Sequence, residues 1–104
     1  MRQLSVEDSS RWLEQADTPQ LVDCRQPDEW EICHIEGAVL IPLGELAERA
    51  GELDPDRPVL VYCHHGVRSI NGAMILESAG FTADSMRGGI DAWSLRIDPT
   101  TPRY

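Results

Sequence analysis

Short apolar blocks alternate along this chain with stretches whose apolar residues recur at helical spacing. Val59-Leu60-Val61-Tyr62, set off by Pro58, is the clearest block and reads as a strand buried on both faces. Gln20 to Cys24 and Ala38 to Ile41 read the same way, with Pro42 ending the second, and Ala83 to Met86 supplies a last short strand. Ser5, with acidic Asp8 three positions on, is placed to cap a helix. Trp12, Leu13 and Ala16 carry its spacing until Asp17-Thr18-Pro19 stops it. Pro27 suits a first helical position, with Asp28 to Cys33 a short helix behind it. Leu43, Leu46, Ala47 and Ala50 predict another helix, closed by the turn Asp54-Pro55-Asp56-Arg57-Pro58. After Arg68 the spacing puts Ile70, Ala73 and Met74 on one face of a helix that Gly80 terminates. Asp91 to Ile97 predicts one or two final helical turns. Strands alternating with helices imply an α/β fold: a small parallel sheet with helices on both faces.

Composition narrows this. A chain of 104 residues is expected to form a single domain, residues 1–104, and is too short for two cores. Nine basic against eighteen acidic side chains give a net charge of −9, and no basic block offsets it, so nucleic acid is not expected as a partner. No apolar run is long enough to span a bilayer, so no membrane association is expected. The start, Met1-Arg2-Gln3-Leu4-Ser5, turns polar at once, which predicts a cytoplasmic protein. Three cysteines, Cys24, Cys33 and Cys63, cannot all pair within one chain and read as thiols, at least one of them open to reaction.

The chemistry concentrates in Cys63-His64-His65-Gly66-Val67-Arg68-Ser69. A cysteine between the end of a buried strand and the start of a helix faces backbone N–H groups that have no intrahelical partner. Those donors, the helix dipole and the Arg68 guanidinium all favour a thiolate. Such a loop can hold an anion bonded to sulfur, and Gly66 permits the backbone conformation a tight anion-binding loop needs. Ser69 is placed to donate a hydrogen bond or to cap the helix that follows.

These residues resemble the rhodanese-like sulfurtransferases through nearly the whole chain. Asp23-Cys24-Arg25 with Pro27 and Glu29 looks like that family's Asp-x-Arg-x-x-x-Glu segment, and His34-Ile35-Glu36-Gly37-Ala38 like its His-Ile-x-Gly-Ala element. The Cys63 loop is similar to its active-site loop, and Gly88-Gly89-Ile90-Asp91-Ala92-Trp93 to its Gly-Gly-x-x-x-Trp element. The stretch Asp98-Pro99 to Pro102-Arg103-Tyr104 is similar to rhodanese domains fused behind adenylating enzymes that activate sulfur-carrier proteins. The resemblance implies that Cys63 takes sulfane sulfur from a donor, thiosulfate or a persulfide. It would then pass that sulfur as a Cys63 persulfide to a thiophilic acceptor: cyanide, a thiol or a protein partner. It implies no cofactor beyond that transient persulfide, and allows a protein sulfur donor or a sulfur-carrier protein as partner. Four residues lie between Cys63 and Arg68. Phosphatases with a cysteine nucleophile place one more there, so this loop should suit a single sulfur atom better than a phosphoryl group. A cysteine-dependent phosphatase is the runner-up, and a non-catalytic binding module of the same family the third possibility.

The remaining candidates have plainer roles. Cys24, inside a predicted strand, reads as structural, and Cys33 as an ordinary thiol. His64, His65, Gly66, Val67 and Ser69 are loop residues, the histidines set to influence substrate choice. Adjacent histidines on a tight loop do not converge on one ion, so no metal site is expected. Asp23 and Arg25 read as a supporting salt bridge. His34 reads as a hydrogen-bonding partner of nearby backbone, and Trp12, Trp30 and Trp93 as core or rim residues.

Overall fold

The computed structural model describes residues 1–104 and holds one five-stranded parallel sheet. The strands are β1 (Gln3–Leu4), β2 (Gln20–Asp23), β3 (Val39–Leu40), β4 (Val59–Tyr62) and β5 (Ala83–Met86), in the order β1-β5-β4-β2-β3. The helices are α1 (Val6–Leu13), α2 (Pro27–Ile32), α3 (Leu46–Arg49), α4 (Arg68–Ser78) and α5 (Gly89–Arg96), with α3 extended on both sides by single 3₁₀ turns. Side chains alternate across a strand. Val22, Cys24, Val59, Val61 and Cys63 therefore join the core that packs on α3 and α4, with Leu46, Ala73 and Leu76. Leu21, Leu60 and Tyr62 point the other way and pack with Val6 of α1 and Ile90 of α5. The fold is the predicted one, and β4, buried at every position, is its central strand.

Local chemistry explains the boundaries. The Ser5 side chain accepts from the Asp8 amide at 3.0 Å, and Pro27 opens α2 after Gln26 and Glu29 close a capping box. Gly80, at φ +95°, turns the chain out of α4 while its N–H donates to the Glu77 carbonyl.

One strand was missed by the pattern, and two expectations are corrected. β1 escaped the pattern because it is only two residues long and exists by pairing with β5. The first helix ends at Leu13, leaving Ala16 exposed. The buried face of α4 is Ser69, Gly72, Ala73 and Leu76, whereas Met74 is 54% exposed and Ile70 only half-buried. Glycine is the cause: a Cβ at Gly72 would stand 3.1 Å from Leu46 Cδ1 and 3.2 Å from Val61 Cγ1. The helix thus meets the sheet along its smallest residues, which bring its first turn down onto the end of β4. No helix is long and apolar enough to cross a membrane.

Candidate active site

Cys63 follows β4 directly and leads into the turn that opens α4. Its sulfur accepts from the Gly66 amide at 3.1 Å and the Ser69 amide at 3.3 Å, and the Ser69 hydroxyl lies 3.5 Å away. Ser69 Oγ in turn sits 2.7 Å from Ser85 Oγ on β5, so a chain of two hydroxyls can end on the sulfur. Gly66 reaches this geometry at φ +93°, and a Cβ on it would come 2.8 Å from the Gly88 amide. Gly89 is tighter still, since a Cβ there would strike the carbonyls of His64 and Cys63. Those carbonyls receive the Asp91 and Ile90 amides at 3.1 and 2.9 Å, which moors the loop to α5.

Every donor aimed at the sulfur favours its charged form. The neighbouring Cys24 thiol leads, followed by the Ser69 hydroxyl and the Ser69 and Gly66 amides. Against the opposing effect of burial, these hold Cys63 down to about 4. The Cys24 thiol moves the opposite way, pushed up by the adjacent Cys63 and by burial. Cys63 is thus a thiolate at neutral pH although it is only 1% exposed.

Arg68 does not close a ring around the sulfur. Its Nη1 and Nη2 lie 2.7 and 2.9 Å from the Glu29 carboxylate, a bidentate pair between α4 and α2. Glu29 also accepts from the Tyr104 hydroxyl at 2.6 Å. The Arg68 contact first, and Tyr104 with it, hold the Glu29 carboxyl down to about 2. Tyr104 Oη itself accepts from Arg25 Nη1 at 2.8 Å. Arg25 is wholly buried, paired with Asp23 at 2.6 Å and donating to the Cys33 carbonyl at 2.7 Å. One polar chain thus runs from Asp23 through Arg25, Tyr104 and Glu29 to Arg68 and fixes α2 against the loop. Asp23 and Arg25 are its structural root and do not touch the sulfur.

The two histidines line the loop's outer side. The Tyr104 ring stacks on His64, centroids 3.8 Å apart at 7°. Burial, with the adjacent His65, keeps the His64 imidazole below its ordinary value and so neutral at pH 7. His65 is exposed, with Nδ1 3.9 Å from Asp91, whose carboxylate also takes Arg103 at 2.9 Å. His34 lies apart from the loop, stacked on Trp30 and hydrogen-bonded to the Trp30 carbonyl at 3.0 Å. Val67 is exposed on the rim. The largest surface cavity, about 660 Å³, opens near the start of β2 between Leu13, Ile35 and Trp93 and is not lined by Cys63.

Sequence reasoning did not assign roles to Glu29, Tyr104, Ser85 or Gly89. Glu29 was visible as the acidic end of the Asp-x-Arg-x-x-x-Glu segment, and Gly89 as half of a glycine pair. Tyr104 lay inside the C-terminal stretch already noted but had no role read for it, and Ser85 carried no local signal, because their roles arise from contacts across the fold.

A family model for the rhodanese-like domain matches residues 5–96. The chain is 40% identical over 96 residues to the probable adenylyltransferase/sulfurtransferase MoeZ of Mycobacterium tuberculosis, spanning 89% of this chain and 24% of that protein. It therefore covers about a quarter of that relative's length. It is also 38% identical over 82 residues to the thiosulfate sulfurtransferase GlpE of Shewanella oneidensis, covering 78% of this chain and 81% of that one. Among solved structures, a rhodanese-like domain protein from Staphylococcus aureus superposes with a TM-score of 0.86 at 25% identity, over 100% of this chain and 99% of that one. Model, relatives and architecture agree, and the chain belongs to the rhodanese-like domain family.

Proposed function

We propose that this chain is a sulfurtransferase that carries sulfane sulfur on Cys63. The observation that carries it is a buried cysteine sulfur that accepts from two backbone amides beside a hydroxyl, in a loop that has only four residues between Cys63 and Arg68. The thiolate attacks the outer sulfur of the donor. The donor's S–S bond breaks with its electron pair leaving on the donor remnant, as sulfite from thiosulfate or a thiolate from a persulfide. A new S–S bond forms on Cys63. An acceptor nucleophile, cyanide or a thiol, then attacks the outer sulfur, and the Cys63 thiolate departs with the electrons. The amides and Ser69 that stabilise the thiolate also stabilise it as leaving group, so the same donors serve both halves.

Thiosulfate is expected to be a poor donor. It is a dianion approaching a protein of net charge −9, and Arg68 and Arg103 are both engaged by carboxylates. His64 is neutral and adds no charge. A persulfide donor, including one on a protein, meets less opposition. The kinship with a protein named adenylyltransferase/sulfurtransferase supports a protein partner, a sulfur donor or sulfur carrier, in the transfer. The test is intact mass after incubation with thiosulfate and, separately, glutathione persulfide. A gain of one sulfur atom, removed by cyanide and absent in Cys63→Ser, is the expected result. No gain with either donor makes the chain a binding module, and robust cleavage of p-nitrophenyl phosphate makes it a phosphatase.

A further inference from the structure

We propose that Cys24 is a positioning residue for the reactive sulfur: its thiol lies beside Cys63 at the carboxyl ends of neighbouring strands and donates its hydrogen to Cys63 Sγ, holding that sulfur as a thiolate. This rests on Cys63 being the reactive thiol. The β2–β4 register pairs Asp23 with Tyr62, so the next rung sets Cys24 opposite Cys63. The Cys24 amide, donating to the Tyr62 carbonyl at 3.1 Å, keeps that rung aligned. Adjacent strands stand ~4.8 Å apart, and side chains one rung on point to the same face. Both sulfurs accordingly fall in the core beneath α4, with Val22 and Val61.

The lid over them is Gly72, where even a Cβ would stand only 3.7 Å from Cys24 Sγ. Leu46 and Val61 fill the same corner. In so apolar a niche the neighbouring sulfur anion is the acceptor a thiol hydrogen finds. Other charged groups near the pair do not replace it. Arg68 of α4 is held by Glu29 of α2, His64 of the loop is neutral, and Asp23 of β2, itself paired with Arg25, opposes ionisation of Cys24. The Ser69 hydroxyl and the Ser69 and Gly66 amides reach the same sulfur from the start of α4 and the loop before it. The opposed shifts of the two thiols agree with a proton that stays on Cys24.

The experiment is a titration of thiolate ultraviolet absorbance, each protein measured as the difference from its Cys63→Ser counterpart. It is run on the wild type, Cys24→Ser, Cys24→Ala and Cys24→Val, with thermal unfolding alongside. The expected result is a Cys63 midpoint raised by about one to two pH units in Cys24→Ala and Cys24→Val, the loss of one hydrogen bond to a charged group. In Cys24→Ser, whose hydroxyl also donates, the midpoint stays near that of the wild type. Valine fills the space that alanine leaves empty, so a folded protein of either kind supplies the comparison. An unmoved midpoint in both, or a serine variant shifted as far as they are, overturns the proposal, whatever the change in thermal stability. Absorbance reports the Cys63 charge whether or not sulfur is transferred, so failure here is distinct from failure of the sulfurtransferase reading.

Discussion

Arg68 and Glu29 share two hydrogen bonds, Nη1 to Oε1 at 2.7 Å and Nη2 to Oε2 at 2.9 Å, and this pairing removes the loop's nearest cation from direct contact with an incoming anion. Glu29→Gln keeps the shape and deletes the negative charge. The expected outcome is a severalfold lower KM for thiosulfate, read from sulfite release. The same variant tests acid stability. Glu29 titrates at about 2 in the folded chain against an ordinary 4.5, so its contribution is complete above 4.5 and lost as pH falls towards 2. Urea midpoints measured across that window should fall less steeply in Glu29→Gln than in the wild type.

Arg68→Ala separates charge from contact. The hydrogen bonds on Cys63 Sγ come from Ser69 and Gly66, and Arg68 is held by Glu29, so removing a guanidinium that does not touch the sulfur should move its titration by less than ~0.5 pH unit. Persulfide formation from thiosulfate should still slow severalfold, because the guanidinium is a positive charge within the loop itself and acts on an anionic donor at a distance. A shift larger than that produced by Cys24→Ala would return Arg68 to direct stabilisation of the thiolate.

Cys63→Ser should abolish the mass gain and all sulfur transfer, while Cys33→Ser should keep most of both. Cys33 caps α2, gives its backbone carbonyl to Arg25 and packs its side chain with Ile35 and Leu60, roles a near-isosteric serine largely keeps. Circular dichroism on each variant establishes that the fold is intact, and comparable losses in the two would dismiss a single-cysteine mechanism.

Asp23→Asn should be the most destabilising polar substitution near the site. Asp23 and Arg25 are both 0% exposed, and amide in place of carboxylate leaves a guanidinium charge buried without its counterion. Breaking a buried pair in this way costs about 3–5 kcal/mol. Denaturant unfolding at neutral pH measures it, and a loss below about 1 kcal/mol would mean that the other acceptors of Arg25, Tyr104 and the Cys33 carbonyl, suffice.

What could be read in the chain was local. Ser5, Pro27 and Gly80 act within a few residues of themselves, so capping and turn chemistry located their elements, and the unbroken apolar run Val59–Tyr62 announced the central strand. The Cys63 loop was legible because its chemistry comes from consecutive residues. What was not legible depends on distance along the chain. Arg68 looks unattached until α2 folds back to bring Glu29 to it, 39 residues earlier in sequence. Tyr104 reaches Arg25 across 79 residues. The α4 face was misjudged because larger side chains were expected inward, when Gly72 allows the helix to press its small residues against β4.

The sheet's two margins carry a consequence of their own. Interior strands run for four residues, but β1 and β3, which bound the sheet, have two each. Unpaired backbone at a margin is what a neighbouring chain needs in order to add a strand. Here each margin offers a couple of rungs at most, and Val39 lies exposed on one of them without an extended ladder to continue. Crowded copies of this domain therefore lack the template on which aggregation by edge-to-edge pairing propagates.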